Sequence, residues 1–401
     1  MTDPTALSLP APGGAREAGG RAPRARAESL SGTVRRLRLL RFPLAISVLF
    51  FHSARPIQPV AGSAVPFMEL EPWAALVQGF FAHGLGGIRM PAFFAISGFL
   101  FFADCAGTRE WLSGKLGGRV RGVLVPLLAW NALLLLLLLL LQSFSLSNAL
   151  FSGVGPWSRR VADYDAWQVF DALVGVGGNP ILYPLWFLRD LFFMSLLAPV
   201  FYVWPRGAQT AVVAAFGTLW LTGAWPYQVP TVEACFFFLA GALAALRRFD
   251  PQALDRHAGA VFALLAALVA VLLLSPPGTS SVASVWLHLT QLAALAALLV
   301  LTKFVEQWPT LALPLHRLAA PSFFIFVAHE PLLTAVRRLA YWLWQPQSST
   351  GALGLYFAGV IVTSLMLIGA FRAGQRWAPG VLTLLTGGRS RPPRDAKSAP
   401  A

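Results

Sequence analysis

Long runs of apolar residues alternate with short polar segments over most of this chain. Residues 120–142 read VRGVLVPLLAWNALLLLLLLLLQ, and residues 258–274 contain no charged side chain. At 1.5 Å per helical residue, runs of this length reach or approach the roughly 20 residues that cross a hydrocarbon core about 30 Å thick. The pattern therefore predicts an all-α protein, a polytopic bundle of transmembrane helices.

Glycine, proline and charged residues divide the apolar runs into about ten predicted spans. These lie at residues 38–55, 80–103, 120–142, 184–204, 209–226, 230–247, 258–274, 284–303, 320–343 and 352–372. Most Lys and Arg residues fall on one side if the chain starts in the cytoplasm, with Arg337 and Arg338 as an exception in the outer half of the ninth span. Because cytoplasmic connections carry an excess of these residues, we expect the N-terminus and the C-terminus to be cytoplasmic.

The composition supports a membrane protein and argues against nucleic-acid binding. Hydrophobic residues make up 56% of the chain and charged residues only 12%, with a mean hydropathy of +0.63, whereas soluble domains are about a quarter charged. The net charge is +14, but the basic residues lie in tails and short connections and do not form one face. The two cysteines, Cys105 and Cys235, predict neither a disulfide framework nor a metal site.

The same composition divides the chain into a membrane domain and two basic tails. Residues 1–34 are rich in Ala, Pro, Gly and Arg and offer no apolar face to bury, so we expect a disordered N-terminal tail there. Residues 35–376 hold the predicted spans, and residues 377–401 form a basic C-terminal tail.

Two ionisable residues lie in the first apolar run, RFPLAISVLFFHSARP. Arg41 and His52 are eleven positions apart, which places them about 16 Å apart along a helix axis and on roughly one face. Arg41 could simply anchor the cytoplasmic end of the span, and His52 could be an interfacial histidine. An ionisable group at membrane depth is nevertheless a candidate site, and an imidazole with an unperturbed pKa of about 6.5 can accept a proton near neutrality.

Six segments in succession resemble the family-3 membrane acyltransferases, which O-acylate carbohydrates. Arg41 and His52 with ten residues between them are the first segment, and GGIRMPAFFAISGFLFF is similar to that family's Pro-Leu-Phe-Phe-x-x-Ser-Gly-Phe signature. The others are KLGGRVRGVLVPLLAW, PLWFLRDLFFMSLLAPV, FFFLAGALAAL and SFFIFVAHEPLL. The chain departs from the family pattern at Arg89, where several relatives have histidine, and in the spacing of Arg119 and Arg121. At Ser97 and Gly98 we predict a helix that is either closely packed or kinked.

The resemblance implies an enzyme that transfers an acyl group, expected to be acetyl, from acyl-CoA to a glycan hydroxyl. His52 is the predicted base or acyl carrier, joined by Arg41 and His329 as catalytic candidates. The phosphates of coenzyme A favour a cationic dock, for which Lys115, Arg119 and Arg121 are the candidates. Arg89 and Trp186 are the candidates for contact with the sugar acceptor.

Neither a bound metal nor a permanently bound cofactor is expected. The predicted partners are the lipid bilayer, acyl-CoA and a carbohydrate acceptor such as an exopolysaccharide or lipopolysaccharide, and the predicted location is the bacterial cytoplasmic (inner) membrane. The competing interpretation is a transporter or flippase for a glycan intermediate. That class often shows two similar halves, whereas the landmark segments here occur once each.

Overall fold

The computed structural model describes residues 21–55, 69–84, 87–144, 157, 159–274 and 281–389, and the regular elements within these ranges are all helical. The α-helices are α1 (Arg21–Leu39), α2 (Arg41–Ser53), α3 (Pro72–Gly79), α4 (Arg89–Phe102), α5 (Arg109–Arg119), α6 (Val125–Leu141), α7 (Ala166–Val174), α8 (Trp186–Val203), α9 (Arg206–Thr222), α10 (Val232–Leu246), α11 (Ala258–Leu274), α12 (Ser281–Glu306), α13 (Pro309–Leu318), α14 (Ser322–Leu343), α15 (Ser349–Trp377) and α16 (Pro379–Thr386). Turns of π-helix, Phe80–Gly84 and Val120–Leu124, follow α3 and α5.

The all-helical prediction is confirmed, whereas the count of ten spans is not. Six helical stretches among the described residues are long and apolar enough to cross a membrane, or seven if α13 and α14 form one broken span. Each predicted segment contains a helix, but α2, α9 and α10 have only 13, 17 and 15 residues. At 1.5 Å per residue they are about 20–26 Å long, shorter than a hydrocarbon core of about 30 Å. The orientation of the termini remains a prediction.

Parts of both predicted tails are helical. Helix α1 begins at Arg21, inside the predicted 1–34 tail. Long-range contacts hold this helix: Gln252 donates to the Thr33 hydroxyl at 3.1 Å, and Arg36 donates to Asp255 at 2.7 and 2.9 Å. Such distant partners cannot be inferred from local composition. Residues 1–20 of the predicted tail lie outside the described residues.

The predicted C-terminal tail, 377–401, contains helix α16. Leu382 of this helix is buried in a cluster with Phe371, and the Trp130 indole donates to the Leu385 carbonyl at 3.0 Å. The helix forms because its apolar side has a core to cover. Residues 390–401 lie outside the described part of the chain.

The chain folds into two compact units. The first comprises the described residues within 1–40, 87–119 and 190–315, and the second comprises the described residues within 41–86, 120–189 and 316–401. The candidate catalytic residues Arg41, His52 and His329 all belong to the second unit.

Close contact between helices α4 and α10 dominates the first unit. A Cβ atom added to Gly98 would lie 2.0 Å from the Phe238 carbonyl oxygen, and one added to Gly241 would lie 2.0 Å from the Ala95 carbonyl oxygen. Both positions therefore require glycine for the two backbones to approach. This confirms the predicted close packing at Gly98 and explains two of the glycine-containing motifs.

The second unit is built around α2, α14 and α15. Leu49 of α2 packs with Ile325 and Leu333 of α14 and with Val360 of α15. Helix α14 is interrupted at Glu330, whose φ of −102° and ψ of 139° are not helical. Pro331 explains the interruption, because proline disfavours the α conformation in the residue before it and supplies no backbone N–H.

Replacing Gly98 with alanine should destabilise the protein, because the added methyl group would meet backbone atoms that cannot move aside. We expect a loss of about 1–3 kcal/mol, the usual cost of overpacking. Thermal unfolding of purified protein and its abundance in membranes measure this. Gly114→Ala is the matched control, since nothing lies within 4 Å of that position. Equal stability of the two variants would contradict the packing account.

Candidate active site

His52 lies in the last turn of α2 and is only 7% exposed. Its Nδ1 atom is 3.2 Å from the hydroxyl oxygen of Tyr183. The same hydroxyl donates to Oε1 of Glu330 at 3.2 Å, and Thr334 donates to Oε2 of Glu330 at 2.7 Å. An imidazole, a phenol and a carboxyl group thus form one hydrogen-bonded chain inside the second unit.

With Glu330 ionised, the hydrogen count along this chain sets the tautomer of His52. The Tyr183 hydroxyl has one hydrogen, which it gives to the Glu330 carboxylate. Its contact with His52 therefore requires a hydrogen on Nδ1, with the phenol oxygen accepting. In the neutral imidazole, the lone pair then lies on Nε2. His52 is consequently arranged to take up a proton at Nε2 while Nδ1 remains bound to the chain.

The backbone beside Tyr183 is held by polar side chains of the second unit. Oδ1 of Asn131, which is buried in α6, accepts a hydrogen bond from the Leu182 amide at 2.9 Å. The Trp157 indole donates to the Ile181 carbonyl at 2.9 Å. The guanidinium of Arg55 lies 4.9 Å from the centre of the Tyr183 ring. These contacts fix the phenol between His52 and Glu330.

His329 completes the cluster from α14. It is fully buried, and its ring centre is 5.1 Å from that of His52. Nδ1 of His329 lies 2.6 Å from the Phe326 carbonyl oxygen. Because a carbonyl can only accept, Nδ1 carries the hydrogen and Nε2 carries the lone pair of the neutral ring. The structure therefore brings two of the predicted catalytic residues together.

Arg337 supports the cluster through the backbone of α2. It donates to the carbonyl oxygens of His52 at 3.1 Å and of Arg55 at 2.5 Å. These carbonyls lie at the C-terminal end of α2, where a cation is favourable for the helix dipole. Arg337 is one of the two basic residues that do not fit the predicted orientation, and this contact gives a structural reason for its position.

Arg41 does not join this cluster. It is exposed at the first residue of α2, about three turns from His52, which corresponds to about 16 Å along the axis. Arg41 and His52 therefore lie at opposite ends of α2, even though the predicted helix places them on roughly one face. A direct role for Arg41 on the atoms that His52 contacts is incompatible with this distance.

The cationic residues predicted to bind the donor have partners within the protein. In the first unit, Lys115 forms an ion pair with Asp104 at 2.6 Å. Partial burial acts to raise the pKa of the Asp104 carboxyl, but the hydrogen bond and charge of Lys115 outweigh it and hold that pKa below its ordinary value. Arg119 donates to the Ser97 carbonyl at 3.1 Å and lies over the Phe101 ring. Arg121, in the second unit, is exposed.

The two residues predicted to contact the acceptor lie in different units. Arg89 is the first residue of α4 in the first unit and is half-buried. Its positive charge interacts electrostatically with the carboxyl group of Glu233. Trp186 starts α8 in the second unit, three residues after Tyr183, and is also half-buried. Of the two residues, Trp186 is therefore the one that is close in sequence to a member of the His52–Tyr183–Glu330 hydrogen-bonded chain.

Sequence analysis did not assign a role to Tyr183, Glu330, Thr334 or Arg337. Tyr183 lies beside proline at the start of an apolar run, where an aromatic residue is ordinarily explained by the membrane interface. Glu330 could have been predicted from the sequence as a site residue, because a carboxyl group within an apolar helix needs a partner. The helix break at Glu330 is what brings that carboxyl to Tyr183.

The apolar helices indicate a multi-pass membrane protein, and the imidazole–phenol–carboxyl chain is its candidate acid–base site. A family model described as "Acyltransferase domain" matches residues 34–369, more than half of the chain. The chain therefore belongs to the acyltransferase-3 family and is an acyltransferase, which confirms the resemblance seen in its motifs.

The chain is also similar to the succinoglycan biosynthesis protein ExoH of Rhizobium meliloti (strain 1021). The two are 27% identical over 381 residues, which cover 91% of this chain and 95% of that protein. No solved structure matches the chain significantly.

Tyr183→Phe should slow acyl transfer by about 10- to 100-fold, the equivalent of one hydrogen bond to a charged group. The ring would remain, so we expect normal abundance. Glu330→Gln should have a similar effect, and the double variant should lose little more than the worse single variant, because both residues act through one chain. Transfer rates in membranes, divided by the amount of protein, measure this. Tyr227→Phe, at an exposed position, is the control. Multiplied losses in the double variant would show that the two residues act independently.

Proposed function

We propose that this protein transfers an acyl group, acetyl in the simplest case, from acyl-CoA to a hydroxyl group of an exported or cell-surface polysaccharide. The observation that carries the proposal is the His52–Tyr183–Glu330 chain, in which His52 and Glu330 are buried and Tyr183 is half-buried, and which orients an imidazole for proton transfer. Membership of an acyltransferase family supports the reaction class. The relative named for succinoglycan biosynthesis supports a polysaccharide acceptor.

In the proposed reaction His52 acts as general base. Its Nε2 takes the proton from the acceptor hydroxyl as the hydroxyl oxygen attacks the thioester carbonyl carbon. The carbon–sulfur bond then breaks, and the proton passes from Nε2 to the departing thiolate, so that the products are an ester and free coenzyme A. The Tyr183–Glu330 pair stabilises the imidazolium that forms in between, because Nδ1–H continues to donate to the Tyr183 oxygen while the Tyr183 hydroxyl donates to the Glu330 carboxylate.

The same geometry permits a covalent variant of the reaction. Nε2 of His52 could attack the thioester directly, which breaks the carbon–sulfur bond, releases the thiolate and leaves an acyl-imidazolium with its hydrogen still on Nδ1. The sugar hydroxyl would then take the acyl group from Nε2, and its proton would pass through a base to the thiolate. His329, with its ring centre 5.1 Å from that of His52, would serve as the base in the second step. We favour direct transfer because it needs one proton acceptor at a position where the structure orients one.

The donor is proposed to bind through the cationic residues Lys115, Arg119 and Arg121. Guanidinium groups match the phosphates of coenzyme A in charge and in hydrogen-bonding geometry. The Lys115–Asp104 ion pair implies that Lys115 would exchange a carboxylate partner for a phosphate. Arg119 supplies a second cation above the Phe101 ring.

The proposed location is the bacterial cytoplasmic membrane with both termini inside. In that orientation Arg41 is at the cytoplasmic end of α2 and His52 is toward the outer face. The acyl group, still on its thioester sulfur, would extend to the level of His52 while the nucleotide part of coenzyme A remains on the cytoplasmic side. Arg89 and Trp186 are then the proposed contacts of the acceptor.

His52→Ala should abolish acyl transfer while leaving the protein in the membrane at near-normal abundance. General base catalysis contributes about 10²- to 10⁴-fold, so the residual rate should be reduced by at least that amount. Membranes are supplied with radiolabelled acetyl-CoA and cell glycan, and alkali-labile label in the glycan is measured beside a protein blot. His257→Ala, at an exposed histidine, is the matched control.

Full transfer by the His52 variant would remove this residue from the mechanism. Movement of glycan across the membrane without any labelled ester, in the unsubstituted protein, would instead favour the transporter interpretation. A covalently labelled wild-type protein that loses its label on addition of glycan would identify the acyl-imidazole route.

A further inference from the structure

An exposed arginine, Arg55, lies beside the acid–base chain at the end of α2. Its amide donates to the His52 carbonyl at 3.3 Å, so the chain makes one more turn after the helix ends. Residues three positions apart on such a turn are neighbours, with about 5–6 Å between their Cβ atoms. His52 is buried and Arg55 is exposed, so Arg55 lies between the proposed base and the outside of the second unit.

The guanidinium of Arg55 is held in place by two aromatic rings. Its central carbon is 5.5 Å from the centre of the Phe51 ring and 4.9 Å from the centre of the Tyr183 ring. Both distances are those of cation–π contacts. The backbone of Arg55 is held as well, because Arg337 donates to its carbonyl oxygen. Contacts with ring faces do not use the N–H groups of a guanidinium, so these donors remain available to a ligand.

The protein supplies no acidic partner for this cation among the described residues. The ion pairs found there do not include Arg55. The Glu330 carboxylate is already bound by the Tyr183 hydroxyl. The stretches 56–68 and 145–156, which lie outside the described residues, contain no Asp or Glu in their sequence. Water can solvate an exposed guanidinium, but one fixed against the phenol that holds the proposed base is placed to bind a substrate.

The position of Arg55 along α2 indicates which substrate it would meet. Arg41 is the first residue of this helix, and Arg55 follows its last residue by two positions. In the proposed orientation Arg41 is at the cytoplasmic end, so Arg55 is at the outer end, from which an exported or cell-surface glycan approaches. The phosphates of coenzyme A belong to the opposite end.

The chemistry of the site favours a carboxylate as the bound group. A guanidinium and a carboxylate are both planar and carry one charge each, and they form two parallel hydrogen bonds. Arg337 adds no free donors to match a more highly charged anion, because it donates to the carbonyl oxygens of His52 and Arg55. An exposed position also lets the hydroxyl groups of a sugar keep their contacts with water, which burial in an apolar site would remove.

We infer that Arg55 binds a carboxylate of the acceptor, so that the acceptor is an acidic saccharide that contains a uronate or a carboxyl-bearing substituent. The inference rests on the proposed function and narrows its acceptor class. Arg55 takes no part in the bond changes. It selects the acidic sugar and directs a hydroxyl group of that sugar, or of its neighbour, toward Nε2 of His52.

Ligand-observed NMR titrations of the purified full-length protein in detergent test this inference. The probes are methyl β-glucuronide and methyl β-glucoside, which differ only in the carboxylate. We expect the glucuronide to bind at least about fivefold more tightly, the equivalent of one well-formed ion pair at an exposed position. Arg55→Gln should remove this preference by weakening the glucuronide alone. Arg55→Lys should keep part of it, because the charge remains and the paired donors are lost.

Arg160→Gln is the matched control, because Arg160 is an exposed arginine of the same unit and should leave the preference unchanged. Equal weakening of both glycosides by Arg55→Gln would overturn the inference, since Arg55 would then only support Tyr183. A preference that survives in Arg55→Gln, or no preference in the unsubstituted protein, would also overturn it. So would tighter binding of methyl glucoside 6-phosphate than of the glucuronide.

Two thioesters distinguish a carboxylate on the acceptor from one on the transferred group. Arg55→Gln should leave the relative binding of malonyl-CoA and acetyl-CoA unchanged, and selective loss of malonyl-CoA would overturn the inference in favour of a carboxyl-bearing acyl group. The readout is binding and not transfer. Arg55-dependent binding of the glucuronide by a protein that transfers no acyl group would therefore sustain this inference while refuting the proposed function.

Discussion

The interruption of helix α14 at Glu330 is the constraint on which the active site depends. In a regular helix, neighbouring residues point about 100° apart, so His329 and Glu330 could not both serve one small site. The non-helical backbone at Glu330 changes this. His329 lies beside the ring of His52, while Glu330 reaches His52 through the hydroxyl of Tyr183. One break therefore supplies both the second imidazole and the carboxyl group.

Several buried polar groups among the described residues are paired with one another or with backbone carbonyls, as an apolar environment favours. Thr334 binds the outer oxygen of Glu330, and Arg337 binds the carbonyl groups at the end of α2. In the first unit, Arg36 is likewise paired, because it donates two hydrogen bonds to the Asp255 carboxylate. Basic residues such as Arg36 and Arg337, which sequence patterns treat only as markers of membrane orientation, therefore also hold helices together.

The sequence predicted the helical class and the position of a helix within every proposed span, because hydropathy is a local property. It could not predict the number of spans, since the 13-residue length of α2 depends on where the helix meets its neighbours. His52 and His329 could be singled out because their segments resemble family motifs, since His83 and His288 also lie in predicted spans. Tyr183 could not, because a tyrosine beside proline at the end of such a run looks like an interfacial aromatic, and its role arises from a partner 147 residues away.

In the proposed site, Tyr183 and the ionised Glu330 hold His52 with a hydrogen on Nδ1, which leaves Nε2 to accept the substrate proton. Nitrogen-15 NMR of purified protein containing labelled histidine tests this most directly. The His52 signals are identified by their loss in His52→Ala. The account predicts that, at a pH where His52 is neutral, its hydrogen is on Nδ1 and that this preference weakens in Tyr183→Phe. A neutral His52 with its hydrogen on Nε2 would contradict the account.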